Sequence, residues 1–193
     1  MDGQSAKPGH ENAAMENPRV LIVYYSRSGT TRKVAEALSA ALHCDTEEIV
    51  ETRSRSGPLG YVRSLLEARR RRPSATVARA NKDPSRYDLI IVGTPVWAWS
   101  VSPPVRAYMM ANRTRFAAVA FFCTLGASGS DSTFAQMKEL AGKAPRGCLF
   151  LTAREVASRR HEAKLMAFVK VIAGPAADTG HANAANTSST AFS

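Results

Sequence analysis

Two short hydrophobic runs constrain the fold of this chain more than any other feature of its sequence. Residues Val20 to Tyr25 and Leu89 to Val92 are hydrophobic at every consecutive position. The half-exposed strands of an antiparallel sheet alternate apolar and polar residues, so these runs are typical of parallel strands that are buried on both faces. The sequence therefore predicts two central strands, at Arg19–Tyr25 and Leu89–Gly93, in a parallel sheet covered by helices.

Amphipathic segments and further strand-like segments alternate with these two strands along the chain. Helices are predicted at Thr30–His43, Pro104–Ala111, Ser130–Ala141 and His161–Ile172, together with one that begins near Tyr61 and ends at Pro73. Strands are predicted at Thr46–Val50, Ala117–Cys123 and Gly147–Leu151, with a short extended piece at Thr76–Ala78. This alternation implies right-handed crossovers and a doubly wound, five-stranded parallel sheet in a three-layer α/β/α sandwich.

The length of 193 residues is sufficient for one well-buried α/β domain. The polar segment 1–17 and the Ala/Asn/Thr/Ser-rich segment 174–193 bury little apolar surface, so we expect two disordered tails and a domain at 18–173. No apolar run approaches the roughly 18 residues that span a bilayer, and residues 1–17 contain no signal-peptide core. A cytoplasmic location is expected from these features.

The cysteines and histidines give no metal or disulfide pattern. Cys44, Cys123 and Cys148 are odd in number and lack C-x-x-C spacing, so we expect buried, reduced side chains. His161 and Glu162 begin like a zincin motif, but Leu165 stands where the second histidine is required. No metal site is predicted.

The net charge of +10 is concentrated in one window of the sequence. Residues 53–86 contain ten Arg and Lys residues, with the cluster Arg69–Arg72 at their centre, against only two acidic residues. Such a block is either a solvated helix face or a surface for acidic partners, nucleic acid or anionic lipid. The solvated face is the more common case, and nucleic acid is not the expected main partner.

The loop after the first strand has the composition of an anion site. It consists of Ser26, Arg27, Ser28, Gly29, Thr30 and Thr31, and it joins a strand to a helix N-terminus. Hydroxyl and backbone N–H groups at a helix N-terminus favour an anion, and a glycine lets it approach closely. The loop matches neither the Walker nor the dinucleotide-binding glycine pattern, which disfavours ATP and NAD in their usual modes. By itself it is also compatible with an ordinary turn and helix cap.

The same loop resembles the phosphate-binding loop of flavodoxins, whose pattern is [ST]-x-[ST]-G-x-[ST]. Ser26, Ser28, Gly29 and Thr31 match that pattern one by one. The resemblance implies a flavodoxin-like fold with strand order 2-1-3-4-5 and FMN as the cofactor, its phosphate on this loop. Arg27 stands at the variable position of the pattern, either pairing with the phosphate or facing solvent.

Two further loops extend the resemblance from about Arg19 to Ile172. The segment Gly93 to Trp99 is similar to the G-T-P-x-W loop of flavodoxin-family reductases. In that family the loop wraps one side of the isoalloxazine ring. The resemblance therefore implies that one wall of the flavin site consists of Pro95, Val96, Trp97, Ala98 and Trp99. In the family the other wall follows the next strand, which corresponds here to Thr124, Leu125, Gly126 and Gly129. The alternative for the two tryptophans is that they cap the core.

These features leave three functions open. The first is an FMN-dependent electron carrier that serves a redox partner protein. The second is an NAD(P)H-dependent reductase of a small acceptor such as a quinone. The third is a non-redox interaction module that uses the Arg-rich segment. The fold hosts carriers and reductases alike, so it does not distinguish the first two. No catalytic side chain is predicted, because the flavin N5 carries the chemistry in this family.

Overall fold

The computed structural model describes residues 18–50 and 81–174. The predicted helix from Tyr61 to Pro73, the extended piece at Thr76–Ala78 and the greater part of both predicted tails lie outside the described residues. Within the described part, the strands and helices follow one another in the predicted order.

Within residues 18–50 and 81–174, the central sheet has five parallel strands: β1 (Val20–Tyr24), β2 (Asp45–Glu48), β3 (Leu89–Trp97), β5 (Val119–Leu125) and β6 (Cys148–Thr152). Their order across the sheet is β2-β1-β3-β5-β6. A sixth strand, β4 (Ser100–Val101), pairs antiparallel with the end of β3. The predicted order of the five parallel strands is confirmed, whereas the short hairpin strand β4 and the extension of β3 beyond Gly93 were not predicted.

The helices cover both faces of the sheet. Those in the described residues are α1 (Thr30–Leu42), α2 (Pro103–Asn112), α3 (Ser130–Ala141), α4 (Ala153–Ala157) and α5 (Glu162–Ala173). Helix α1 packs with α4 and α5, and α2 packs with α3. The three-layer sandwich predicted from the sequence is therefore confirmed. No helix among residues 18–50 and 81–174 is long and apolar enough to cross a membrane.

The continuous hydrophobic runs divide between two cores, one on each face of the sheet. In β1, Ile22 contacts the core under α1 and α5, while its neighbours Leu21 and Val23 belong to the core under α2 and α3. In β5, Phe122 belongs to the core under α1 and α5, and its neighbour Phe121 belongs to the core under α2 and α3. This alternation explains why β1, and β5 from Val119 to Cys123, are apolar at every position, since successive side chains point to opposite faces and both faces are buried.

The cysteines differ in burial. Cys123 is buried, Cys44 is half-buried and Cys148 is exposed, so the expectation that all three are buried is wrong for Cys148. Cys148 lies on β6, the outermost strand on its side of the described sheet, where no further strand flanks it. Burial raises the pKa of Cys123 to about 12 and that of Cys44 to about 11, so both thiols are protonated at neutral pH.

The short helix α4 begins with a reciprocal cap. The backbone N–H of Glu155 donates to Thr152 Oγ1 at 3.1 Å, and the backbone N–H of Thr152 donates to Glu155 Oε2 at 2.8 Å. Lys164 Nζ lies 2.7 Å from Glu155 Oε1. The hydrogen bond from Lys164, followed by that from the Thr152 backbone, lowers the pKa of Glu155 from an ordinary 4.5 to about 2.

Replacing Glu155 with glutamine is expected to remove a pH-dependent part of the stability. Because the folded-state pKa is lowered, the charged carboxylate stabilises the fold above pH 4.5, and this contribution disappears as the pH falls towards 2. Glu155→Ala is expected to cost about 1 kcal/mol at pH 7, because the Thr152 N–H and Lys164 both lose their acceptor. Glu155→Gln keeps an acceptor for the Thr152 N–H and loses the charge. Urea unfolding of the three proteins between pH 2 and 7 tests this. A constant difference between wild type and Glu155→Gln over that range would contradict it.

Candidate functional site

The three predicted loops lie at one edge of the sheet. The first follows β1, whereas the segments predicted as the second and third loops begin within the carboxyl ends of β3 (Leu89–Trp97) and β5 (Val119–Leu125). These three strands are parallel neighbours, so their carboxyl ends meet at the same edge. The chain leaves β1 for β2 on one side and returns to β3 on the other, which makes the gap between β1 and β3 the switch point of the winding. Ligands of open α/β sheets bind in the crevice at such a point.

The first loop presents donors at the N-terminus of α1. Gly29 is the N-cap residue, with φ of +86°, and it has no side-chain oxygen to cap the helix. Ser26 Oγ accepts a hydrogen bond from the N–H of Arg32 at 3.2 Å, which leaves the Ser26 proton available to a ligand. A Cβ added at Gly29 would meet nothing within 4 Å, so open space lies beside the loop. These donors fit an anion such as a phosphate.

Charge in the first loop is limited. Arg32 forms a salt bridge with Glu48, with Nη2 and Oε2 2.8 Å apart, so its charge is compensated. Arg27 is exposed. Ser28 Oγ and Thr30 Oγ1 lie 3.4 Å apart. The donor set is therefore made of neutral hydroxyl and N–H groups with Arg27 beside them.

The Thr31 side chain joins the first loop to the third. It is only 2% exposed, and its Oγ1 lies 2.8 Å from Thr124 Oγ1. This hydrogen bond links two elements on either side of β3, because β3 lies between β1 and β5 in the sheet. Sequence reasoning placed Thr31 and Thr124 in separate parts of the site, and the structure brings them into contact.

Replacing Thr31 with valine is expected to destabilise the fold by about 1–2 kcal/mol, since the buried Thr124 hydroxyl would lose a partner. The double variant Thr31→Val/Thr124→Val removes both hydroxyls and is expected to recover most of that loss. Urea unfolding of the two single variants and the double variant measures the coupling. Additive losses in the double variant would show that the two hydroxyls do not interact.

The second loop is a β-hairpin. Trp97 pairs with Ser100, and the two residues of the turn, Ala98 and Trp99, have φ of +47° and +56°. The Trp97 ring is half-buried and meets Tyr25 edge-on, with centroids 5.7 Å apart. Trp99 is 63% exposed. The two tryptophans thus take different positions: Trp97 packs against the core while Trp99 lies at the surface.

The third loop packs against the tip of this hairpin. Gly129 has φ of +108°, and a Cβ at this position would lie 3.0 Å from Trp99 Cδ1. Trp99 Nε1 donates to Ser128 Oγ at 3.2 Å. Gly126 is exposed, and Leu125 and Thr124 are buried at the end of β5. The second and third loops therefore form one connected surface.

Several residues of this site were not predicted from the sequence. Ser128, Ser132 and Gln136 bond to Trp99 from the third loop and α3, and Arg106 bonds to Gln136 from α2. Ser132 and Gln136 are four residues apart on one side of α3, but nothing local in the sequence indicates that this side meets the hairpin. In residues 18–50 and 81–174, no three His, Cys, Asp or Glu side chains are grouped to hold a metal ion.

A doubly wound sheet whose switch point lies beside a helix N-terminus and two further loops is the architecture of nucleotide-binding α/β proteins. A family model described as flavodoxin matches residues 19–169. The chain therefore belongs to the flavodoxin family, whose cofactor is FMN. The family and the fold predicted from the sequence are confirmed. A search of curated proteins finds no match.

Solved structures share this fold. A flavoprotein of Lactobacillus acidophilus NCFM, in complex with FMN, is 23% identical and superposes with a TM-score of 0.63 over 73% of this chain and 97% of its own. A protein of Bacteroides eggerthii DSM 20697 that has been assigned as a flavoprotein is 23% identical, with a TM-score of 0.66 over 82% of this chain and 100% of its own. A WrbA-like flavodoxin of Agrobacterium tumefaciens is 16% identical, with a TM-score of 0.52 over 81% of this chain and 97% of its own.

Proposed function

We propose that this chain binds FMN non-covalently at the three loops and transfers electrons through it to or from a redox partner protein. The observation that carries the proposal is the connection of all three loops at the switch point of the sheet. Thr31 bonds to Thr124, and Trp99 bonds to Ser128. A phosphate-binding loop and two flavin walls would in this way form one site.

The residues of the site divide by chemistry. Ser26, Ser28 and Thr30, with the N–H groups of the first turn of α1, would hold the phosphate. Residues Pro95 to Trp99 would cover one side of the ring, because Trp97 and Trp99 offer apolar, aromatic surface. Residues Thr124 to Gly129 would approach its polar edge with backbone N–H groups. The fold shared with the L. acidophilus flavoprotein, which is in complex with FMN, supports FMN as the ligand.

The chain's own contribution is to bind and orient the cofactor. Among residues 26–31, 95–99 and 124–129, Arg27 is the one side chain that carries a charge. No positioned acid or base is therefore at hand for proton transfer in these loops. FMN supplies one-electron and hydride chemistry when bound, and the protein fixes its position and surroundings.

The absorption spectrum of the purified protein tests the proposal. Flavin bands that stay with the protein through gel filtration, or that shift when FMN is added to the colourless protein, are expected. Reduction of the bound flavin should then be followed by its reoxidation on addition of an electron-accepting protein. A protein that ignores added FMN would contradict the proposal.

A second candidate function is an NAD(P)H-dependent reductase of a quinone or another small aromatic acceptor. The exposure of Trp99 at the tip of the second loop favours it, since an open site admits a second planar molecule. Anaerobic mixing of the flavin-loaded protein with NADPH, followed by a quinone, separates the candidates. Rapid reduction by NADPH and turnover with the quinone would favour the reductase, and slow reduction would favour the carrier.

Three predictions from the sequence remain predictions: the interaction module, the domain limits 18–173 and the cytoplasmic location. The interaction module rests on the cluster Arg69–Arg72, which lies outside the described residues.

A further inference from the structure

The turn at the tip of the second loop has a backbone conformation that its sequence does not favour. Ala98 and Trp99 both have positive φ, of +47° and +56°. A two-residue hairpin turn of this kind is normally made by Asn-Gly or Asp-Gly, because glycine has no Cβ and the short polar side chains of Asn and Asp bond locally, whereas other side chains are strained there. Strain of this kind persists only where the surrounding structure holds it, and it is concentrated at ligand-binding sites.

Helix α3 holds this turn through the main-chain carbonyl of Trp99. Ser132 Oγ donates to that oxygen at 2.8 Å, and Gln136 Nε2 donates to it at 3.1 Å. Gln136 Nε2 also lies 3.4 Å from Ser100 Oγ, on the other side of the turn. The carbonyl direction is thus determined by two side chains that are more than 30 residues away in the sequence.

A buried cation on α2 determines how the Gln136 amide is oriented. Arg106 is 5% exposed, and its Nη2 donates to Gln136 Oε1 at 2.6 Å. A guanidinium can only donate and a carbonyl can only accept, so the amide oxygen must face Arg106 and the amide nitrogen must face Trp99. The charge on Arg106 strengthens the first of these bonds.

We propose that Gln136, oriented by the buried Arg106, is a positioning residue that holds the Ala98-Trp99 turn in its left-handed conformation and fixes this wall of the flavin site. The statement about the flavin rests on the proposed function, whereas the statement about the turn does not. A single amide links α2, α3 and the hairpin, so the wall is formed before any ligand arrives. A wall that is already ordered costs less conformational entropy on binding.

Gln136→Glu is the sharpest test, because it keeps the shape of the side chain and its bond to Arg106. It replaces the donor that faces the Trp99 carbonyl with a carboxylate oxygen. FMN affinity is expected to fall about tenfold, corresponding to the loss of one hydrogen bond to the turn. A second readout uses the flavin-free protein with Trp97→Phe, in which Trp99 is the sole tryptophan. In this background Gln136→Glu should add a nanosecond component to the fluorescence anisotropy decay of Trp99, because the turn becomes mobile.

Two variants serve as comparisons. Glu139→Gln changes the charge of α3 by one unit in the opposite direction at an exposed position and is expected to alter neither readout. Ser132→Ala removes the second donor to the same carbonyl from an exposed position, so it is expected to shift both readouts in the direction of Gln136→Glu, though less.

The proposal is overturned if Gln136→Glu lowers the melting temperature while FMN affinity and the anisotropy decay match those of Glu139→Gln. If Gln136→Glu does not fold, Gln136→Met decides, because it removes the amide and keeps the length of the side chain, and unchanged readouts in that variant overturn the proposal. A wild-type protein that binds no FMN would contradict the proposed function, while the anisotropy decay would still report on the turn.

Discussion

Replacing Gly29 with valine is expected to weaken FMN binding by at least about 100-fold, or about 2.7 kcal/mol. Gly29 is the N-cap of α1 with φ of +86°, a conformation that a β-branched residue avoids. Its added side chain would also enter the open space beside the first-turn N–H groups, where the phosphate is proposed to lie. Titration of the apoprotein with FMN, followed by flavin fluorescence, measures the change.

Gly142→Ala is the matched control for this variant. Gly142 also has positive φ, of +68°, but it is the C-cap of α3, and a Cβ there would lie 2.5 Å from the Arg113 guanidinium. The control should therefore lower the unfolding free energy without changing FMN affinity. Wild-type affinity in Gly29→Val would contradict the placement of the phosphate.

Gly93→Ala is expected to destabilise the protein by about 3 kcal/mol, at the upper end of overpacking costs. A Cβ on Gly93 would lie 2.1 Å from Cζ of Phe122, which is fully buried on the neighbouring strand β5. Gly93, the first residue of the second loop motif, is therefore required by core packing, because the Phe122 ring fills the space that a side chain at Gly93 would need. Urea or thermal unfolding of the flavin-free protein measures the loss.

A second substitution shows whether the phenylalanine causes this loss. Phe122→Leu should cost about 1–2 kcal/mol by itself through the cavity it leaves. In the double variant Gly93→Ala/Phe122→Leu the alanine methyl has room. Its loss of unfolding free energy should therefore be smaller than the sum of the losses in the two single variants. Strict additivity would contradict steric conflict as the cause.

The overall fold could be predicted because its signals are local. The hydrophobic runs of β1 and β3 are buried on both faces, and α3 begins and ends at the predicted residues Ser130 and Ala141. The elements that were missed are short. Helix α4 has five residues and β4 has two, and such segments are too short for a periodic pattern.

The site was predictable as three loops but not as a set of contacts. The hydroxyl pair Thr31 and Thr124 is separated by 93 residues, and Gln136 and Trp99 by 37. Which side chain reaches across such a distance depends on how the layers pack, and no local pattern contains that information. The Ala98-Trp99 turn is a similar case, because its residues are unusual for the conformation that they adopt.

The comparison of FMN with riboflavin tests the central claim most directly, because the two ligands differ only in the phosphate. Parallel titrations of the apoprotein should show FMN binding at least about 100-fold more tightly than riboflavin, as charge-assisted hydrogen bonds to the Ser26–Thr31 loop would provide. In Gly29→Val this preference should largely disappear. Equal affinity of the wild-type protein for FMN and riboflavin would contradict the account, since the loop would then hold no phosphate.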